Sequence, residues 1–177
     1  MIKAKLKIRV IGDPCLRKKS EFLKEVGPSE RMLIEAMLDA MYESKGVGLA
    51  APQVGINQQI FVADVGDGPI VVVNPKILKK KGSVSHEEGC LSIPGVTVKV
   101  KRPEKIVVQY LDQNSQPVER ELSDLLARVF QHESDHLNGK LIIDYANLSE
   151  KLKIKKQLKE LQHTNSTHRL KKVAGNG

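Results

Sequence analysis

Tryptophan is absent from this 177-residue chain and aromatic residues make up only 3% of it, so a core has to be built mostly from Ile, Leu, Val and Met. No stretch approaches the roughly 18 consecutive apolar residues of a membrane span. The N-terminus, Met1 to Pro14, carries basic side chains but no apolar h-region and no small-residue cleavage site, so no signal peptide is read there. It also lacks the Ser/Arg-rich character of an organelle transit peptide. A cytoplasmic protein with no membrane partner is the expectation. Cysteine is scarce as well: Cys15 and Cys90 are the only two. A bridge between them stays open, but two cysteines make no disulfide framework, and a cytoplasmic cysteine that matters is more often a ligand or nucleophile.

What is present is an ordinary globular balance, 40% hydrophobic and 28% charged, at a length that suits one domain. The formal charge of +8 is unevenly spread. From Glu150 onward there are eight Lys or Arg against Glu150 and Glu160, which leaves +6 in the tail and only +2 in the remaining 149 residues. The chain therefore divides into a nearly neutral body, residues 1–147, and a basic helix and tail, residues 148–177. A cationic arm suits a phosphate-rich partner, and a merely solvated helix face is the competing explanation.

Hydrophobic periodicity predicts a short strand at Ile8–Val10 and a helix from about Pro28-Ser29 to Tyr42, with Leu33, Met37 and Met41 on one face. Ile60–Val65 and Ile70–Val73 read as strands around Gly66-Asp67-Gly68. Val96–Val100 and Lys105–Leu111 suggest a hairpin or meander. A second helix is expected over Leu122–Leu137, stopped by Asn138-Gly139, and a third over Leu148–Leu161 with frayed residues beyond. Strands in the middle and helices at both ends predict an α+β domain: antiparallel sheets around a central helix, with a C-terminal helix.

The sharpest chemical signal lies on that second helix, His132-Glu133-Ser134-Asp135-His136. At i and i+4 two imidazoles leave one helical face and can share an ion, while Glu133 can reach a water on it and act as general base. The preceding Leu125-Leu126-Ala127-Arg128-Val129-Phe130 is apolar enough to bury the helix, although Arg128, one turn before His132, is expected to point outward. A surface helix that happens to carry two histidines is the bland alternative. A third His ligand in HExxHxxGxxH fails, since that position is Ile142. Glu160 is tolerably spaced for a following-helix ligand but sits among lysines. Cys90, in Glu88-Gly89-Cys90-Leu91-Ser92, is the better candidate: Gly89 permits close backbone approach, and Leu91, Ile93 and Pro94 can bury the site. One thiolate with two imidazoles suits Zn(II) or Fe(II) rather than Mg or Ca. His86, His163 and His168 read as surface histidines, and Ser134 carries no ligand role.

Gly46-Val47-Gly48-Leu49-Ala50-Ala51-Pro52-Gln53 meets the loose pattern G-x-G-x-x-G/A, but it follows a helix and carries Pro52 where a new helix should open, which argues against a nucleotide site. The other reading is a tight strand whose backbone pairs with an extended peptide, with Gln53 offering an amide donor. Taken in order, GVGLAAPQ (46–53), EGCLS (88–92) and QHESDH (131–136) resemble the three signature motifs of bacterial peptide deformylases. Gly12-Asp13-Pro14 followed by Leu16-Arg17 is similar to that family's usual start, and the likeness spans about residues 5–145.

The resemblance implies an α+β fold and removal of formate from the N-formyl-methionine of nascent polypeptides. It implies Cys90, His132 and His136 as metal ligands, with Fe(II) the physiological ion and Zn, Ni or Co able to replace it. Glu133 matches the general acid/base, and Gln53 and the Leu91 N–H match the oxyanion donors. An apolar methionine pocket is expected from Val47, Leu125 and Val129 with Glu88 at its edge, Val47 and Leu125 being equally readable as plain core. Gly46, Gly48 and Gly89 are expected to meet the substrate through their backbone. A monomer is expected, with the basic arm docking at the ribosome. Two other readings stand beside this one: an endopeptidase ligated by Glu160 instead of Cys90, and a non-catalytic ribosome-associated protein with a structural metal.

Overall fold

The computed structural model describes residues 5–174, and side chains through residue 163. Helix α1, Pro28–Glu43, opens with proline at its first position and the Glu30 carboxylate accepting the Gly27 N–H at 3.0 Å. Strands β1 (Gly48–Ala50), β2 (Ile60–Ala63), β3 (Ile70–Lys81), β6 (Lys105–Leu111) and β7 (Pro117–Ser123) form one antiparallel sheet in the order β1-β2-β3-β6-β7. Strands β4 (Val84–Cys90) and β5 (Ile93–Arg102) form a separate two-stranded ribbon. Helices α2 (Asp124–Leu137) and α3 (Leu148–Ala174) complete the chain.

Period-2 alternation explains the layers. In β2, Ile60 and Val62 face α1 and pack with Met37 and Met41, while Phe61 and Ala63 face α2 and pack with Phe130. Strand β3 repeats this with Val71 and Val73 on the first side and Val72 on the second. Strands β1 and β2 and the start of β3 are therefore buried on both faces, and α2 runs between the large sheet and the ribbon. A third cluster joins Val96, Val98 and Val100 of the ribbon to Leu16, Leu141 and Ile142, and Ile154, Leu158 and Leu161 of α3 lie against it. Helix α2 ends at Gly139, whose φ of +70° is left-handed and whose missing Cβ leaves room for the Arg17 carbonyl.

The architecture is the α+β arrangement expected, with local departures. Residues 8–10 form no strand, because Arg9 N–H donates to the Gln53 carbonyl at 2.7 Å and Ile11 N–H to the Ser92 carbonyl at 2.8 Å. Two single bonds to two different segments tie loops together without starting a ladder. The stretches 96–100 and 105–111 are not partners: β5 pairs with β4, whereas β6 pairs with β3 and β7. Pro103, which has no N–H, lies at the change of sheet. Helix α2 starts two residues later than expected since Leu122 is used in β7, opposite Ile106. Helix α3 continues to Ala174, with no glycine or proline before Gly175 to stop it.

Candidate metal centre

Leu125, Val129, His132 and His136 follow i, i+4, i+7, i+11 and so lie along one stripe of α2. The ribbon supplies the opposing group. A register shift between Gly89 and Cys90 narrows the β4–β5 pairing at the turn and aims Cys90 at that stripe. One ligand atom each from Cys90, His132 and His136 lies within 4.8 Å of the others, and Cys90 Sγ is 3.3 Å from His136 Nε2. Metal bonds of about 2.0–2.3 Å in a tetrahedron put neighbouring donors roughly 3.3–3.8 Å apart. The donor spacing and the soft thiolate-imidazole set fit a divalent transition ion, and three protein donors leave a coordination position for water. No disulfide joins Cys15 and Cys90.

Orientation of His132 is set from behind. Its Nδ1 meets Glu88 Oε2 at 3.0 Å, which leaves Nε2 for an ion. Glu88 is itself buried and gripped by Arg102, whose Nε and Nη2 donate to its two oxygens at 2.7 and 3.0 Å, while Arg128 Nη1 also donates to Oε1. Arg102 Nη1 reaches Asp135 at 2.9 Å, and the Tyr145 hydroxyl donates to the same carboxylate oxygen at 2.7 Å. Two guanidiniums and two carboxylates thus neutralise one another behind the site. Burial would lift the Glu88 carboxyl, yet the bonds from His132 and Arg102 outweigh it and hold its pKa at about 2. Burial likewise disfavours a charged His132, but its hydrogen bonds with Cys90 and Glu88 prevail and raise it to about 10, a proton that a cation must displace. His136 is driven well below its ordinary value by burial and by the charge of His132.

Glu133 is raised to about 7 by burial, and its Oε2 has no hydrogen-bond partner within the protein. A Cβ at Gly48 would run into Glu133 Oε1 and come within 2.9 Å of Val129 Cγ1, so glycine in β1 lets the helix and its carboxylate approach the sheet. Gln53 is held by its own oxygen: Oε1 accepts the Ala50 N–H at 2.8 Å. Since that backbone group can only donate, Nε2 is the atom turned inward, 3.6 Å from Cys90 Sγ and 3.2 Å from Ser92 Oγ. Gly46, Val47, Gly48, Gln53, Glu88, Gly89, Leu91, Leu125 and Val129 all line one cavity of about 520 Å³ with Cys90, His132 and Glu133. Val47 and Leu125 are 46% and 51% exposed, so they form its rim and are not core. His136, only 1% exposed, is absent from the lining.

Two arginines alter the expected picture. Arg128 does not point outward; it is 8% exposed and bonded to Glu88 and to the carbonyls of Val84 and Val100 at 2.9 and 3.1 Å. Those acceptors replace the water it would lose, which makes burial of a charge tolerable. Arg102 was not foreseen, although it continues the inward alternation Val96, Val98, Val100 and could have been found from it. Glu160 is exposed on α3 and lies outside the cluster that contains Cys90.

A helix bearing two imidazoles and an adjacent carboxylate, with a cysteine sulfur brought to the same point beside an open cavity, defines a metal-dependent hydrolase. The family model for polypeptide deformylase matches residues 5–152. The peptide deformylase of Thermotoga maritima is 46% identical over 159 residues, covering 89% of this chain and 97% of that protein. A crystal structure of peptide deformylase from T. maritima superimposes with a TM-score of 0.78 at 49% identity, over 80% of this chain and 97% of the other. One from Legionella pneumophila gives 0.85 at 38% identity, over 92% and 98%. The chain belongs to the polypeptide deformylase family. Its activity is the metal-activated hydrolysis of the formyl group from N-formyl-methionyl peptides. No helix among the described residues is long and apolar enough to cross a membrane.

Proposed function

We propose the following division of labour for that hydrolysis. Cys90, His132 and His136 hold the ion, Fe(II) in the cell, with Zn(II), Ni(II) or Co(II) able to occupy the same donors. When bound, the ion supplies Lewis acidity that makes a water nucleophilic near neutral pH. Glu133 takes the proton as water adds to the formyl carbon. Gln53 Nε2 and the Leu91 N–H donate to the oxygen as it becomes negative. Glu133 then returns the proton to the amine nitrogen as the C–N bond breaks, and formate and a free N-terminus leave. The methionine side chain enters between Val47, Leu125 and Val129 beside Glu88, while Gly46, Gly48 and Gly89 offer backbone to the peptide.

The observation that carries this reading is the locked Gln53 amide, whose donor is aimed at the thiolate side of the cluster by a backbone bond on its far end. Release of formate from formyl-Met-Ala-Ser by anaerobic, Fe(II)-loaded protein tests it. Gln53→Ala should lower kcat about 10²–10³-fold, the usual effect of losing one oxyanion donor. Glu133→Gln should abolish turnover while metal content stays at the wild-type level. A Glu133→Gln protein as active as wild type would remove the proton-transfer role, whereas a wild-type protein releasing no formate would favour a purely structural ion.

We also propose a two-part chain, a monomeric cytoplasmic catalytic body over 1–147 and a ribosome-docking arm over 148–177. Lys151, Lys153, Lys155, Lys156 and Lys159 are exposed on α3, which supports the docking role. Because Ile154, Leu158 and Leu161 pack on the ribbon, the test is substitution of those five lysines by Gln instead of truncation. Cosedimentation with ribosomes should weaken and lose its salt dependence, with formyl-peptide hydrolysis retained. Unchanged cosedimentation means that the lysines are only solvated.

A further inference from the structure

The cavity beside the metal ligands is not the only one that Arg128 touches. Arg128 also lines a second cavity of about 400 Å³, bordered by His86, Glu87, Glu104 and Asp124. The two cavities share Glu87, Leu125 and Arg128. Glu87 and Leu125 are exposed and form the outer rim, whereas Arg128 is buried and forms the inner wall. We propose that Arg128 is the partition that limits how long a first side chain the enzyme accepts, closing the methionine pocket off from an outer acidic cleft. This rests on the deformylase reading above.

A wall that sets length must not yield when a longer side chain presses on it. Arg128 is pinned by three acceptors from two strands: Glu88 Oε1 and the Val84 carbonyl on β4, and the Val100 carbonyl on β5. To swing aside, the guanidinium would have to leave a buried carboxylate and two carbonyls together, which leaves all of them short of partners. A leucine or methionine there would have rotamers to explore and no directional bond to lose. The charge adds a second filter. A lysine or arginine side chain extending down the pocket meets a guanidinium before it can reach the carboxylates of Glu87, Glu104 and Asp124. Length and positive charge are therefore rejected at one residue. Glu88 keeps its paired bonds from Arg102 when Arg128 is shortened, so the His132 side of the network retains its anchor.

The test measures formate release from formyl-Met-Ala-Ser, formyl-2-aminodecanoyl-Ala-Ser and formyl-Lys-Ala-Ser by wild type, Arg128→Ala and Arg128→Met, each loaded with metal. Wild type should prefer Met over the long alkyl chain by at least about 100-fold in kcat/KM, within the range that pocket walls achieve. Arg128→Ala should shrink that preference at least about tenfold and shrink the preference over Lys as well, chiefly through KM. Arg128→Met, with length but no charge, should still exclude the alkyl chain while discriminating less against Lys. A crystal structure of Arg128→Ala should show the two cavities joined. The proposal is overturned if wild type takes the long alkyl substrate as readily as Met, an arm that needs no variant to fold. It is equally overturned if Arg128→Ala, active on formyl-Met, keeps the wild-type ratios, or if Arg128→Met gains the alkyl substrate to the same degree. A wild-type protein releasing no formate from any of the three would instead refute the deformylase reading.

Discussion

Substituting Glu88 by Gln changes one atom and should disturb both stability and metal affinity. Glu88 Oε1 accepts from Arg102 Nε and Arg128 Nη1, and Oε2 meets Arg102 Nη2 and His132 Nδ1. A glutamine carbonyl can keep only one of those pairs, and it should stay with the two guanidiniums on the Oε1 side. The amide nitrogen then faces Arg102 Nη2, donor against donor, and His132 Nδ1. The imidazole can meet an N–H only by accepting it, which shifts its own proton to Nε2, the atom needed for the ion. Loss of this support should weaken metal binding about 10–100-fold, or roughly 1.4–2.8 kcal/mol.

Stability suffers separately, because two buried arginines are left with Asp135 as their remaining carboxylate. Breaking a buried pair on one side costs about 3–5 kcal/mol. Arg102 keeps Asp135 and Arg128 keeps two carbonyls, so the lower end is expected. At this chain length about 3 kcal/mol corresponds to a fall in Tm of roughly 6–12 °C. Melting is measured on metal-free protein, since an ion that binds only the folded state would mask the loss. Affinity is measured by chelator competition well below the melt. The reasoning is refuted if Glu88→Gln binds metal as tightly as wild type, or melts within about 2 °C of it.

Gly48→Ala should keep the fold but push Glu133 and Val129 away from β1, at about 1–3 kcal/mol of overpacking. Formate release should fall well beyond what the lost stability explains, and an unchanged kcat would mean that the helix relaxes freely. Asp144→Asn addresses acid stability. Burial works to raise the Asp144 carboxyl, but a two-pronged bridge from Arg17 at 2.7 and 3.1 Å and the Leu141 N–H lower it below its ordinary 3.8. A depressed carboxylate stabilises the fold above its unfolded pKa and loses that contribution as pH falls through the folded value. The variant should therefore lose about 0.2–1 kcal/mol at pH 7, a partly exposed bridge being screened, and in chemical denaturation the difference should shrink steadily as pH falls below the ordinary carboxylate range. A deficit independent of pH would point to packing and not to charge.

Much of this site could be read from the chain because its chemistry rests on residue type. Two imidazoles four apart on an apolar helix, and a cysteine in a glycine-flanked turn, have few other uses, and the fold brings those three groups together. Local pattern also sufficed where apolar residues dominate: α1, β2 and the start of β3 lie close to where the sequence put them. It failed for β4 and β7, since Ser85-His86-Glu87 and Glu119-Arg120-Glu121 are exposed and polar. Those strands exist because their hairpin partners β5 and β6 complete the ladders, and backbone pairing leaves little trace in composition.

Arg128 shows a deeper limit. Its position, four residues before His132, already requires the same inward stripe as the ligand, so periodicity alone contained the right answer. Charge argued the opposite, and charge wins only when nothing inside the protein can replace water. Here Glu88 and two strand carbonyls do replace it, and none of the three is near Arg128 in the chain. A buried charge becomes predictable only once its partners are placed. The same holds for Arg102, whose inward parity in β5 acquires meaning from Glu88 and Asp135 on two other elements. The metal ligands are legible one by one, whereas the groups that orient them exist only as a mutually compensating set.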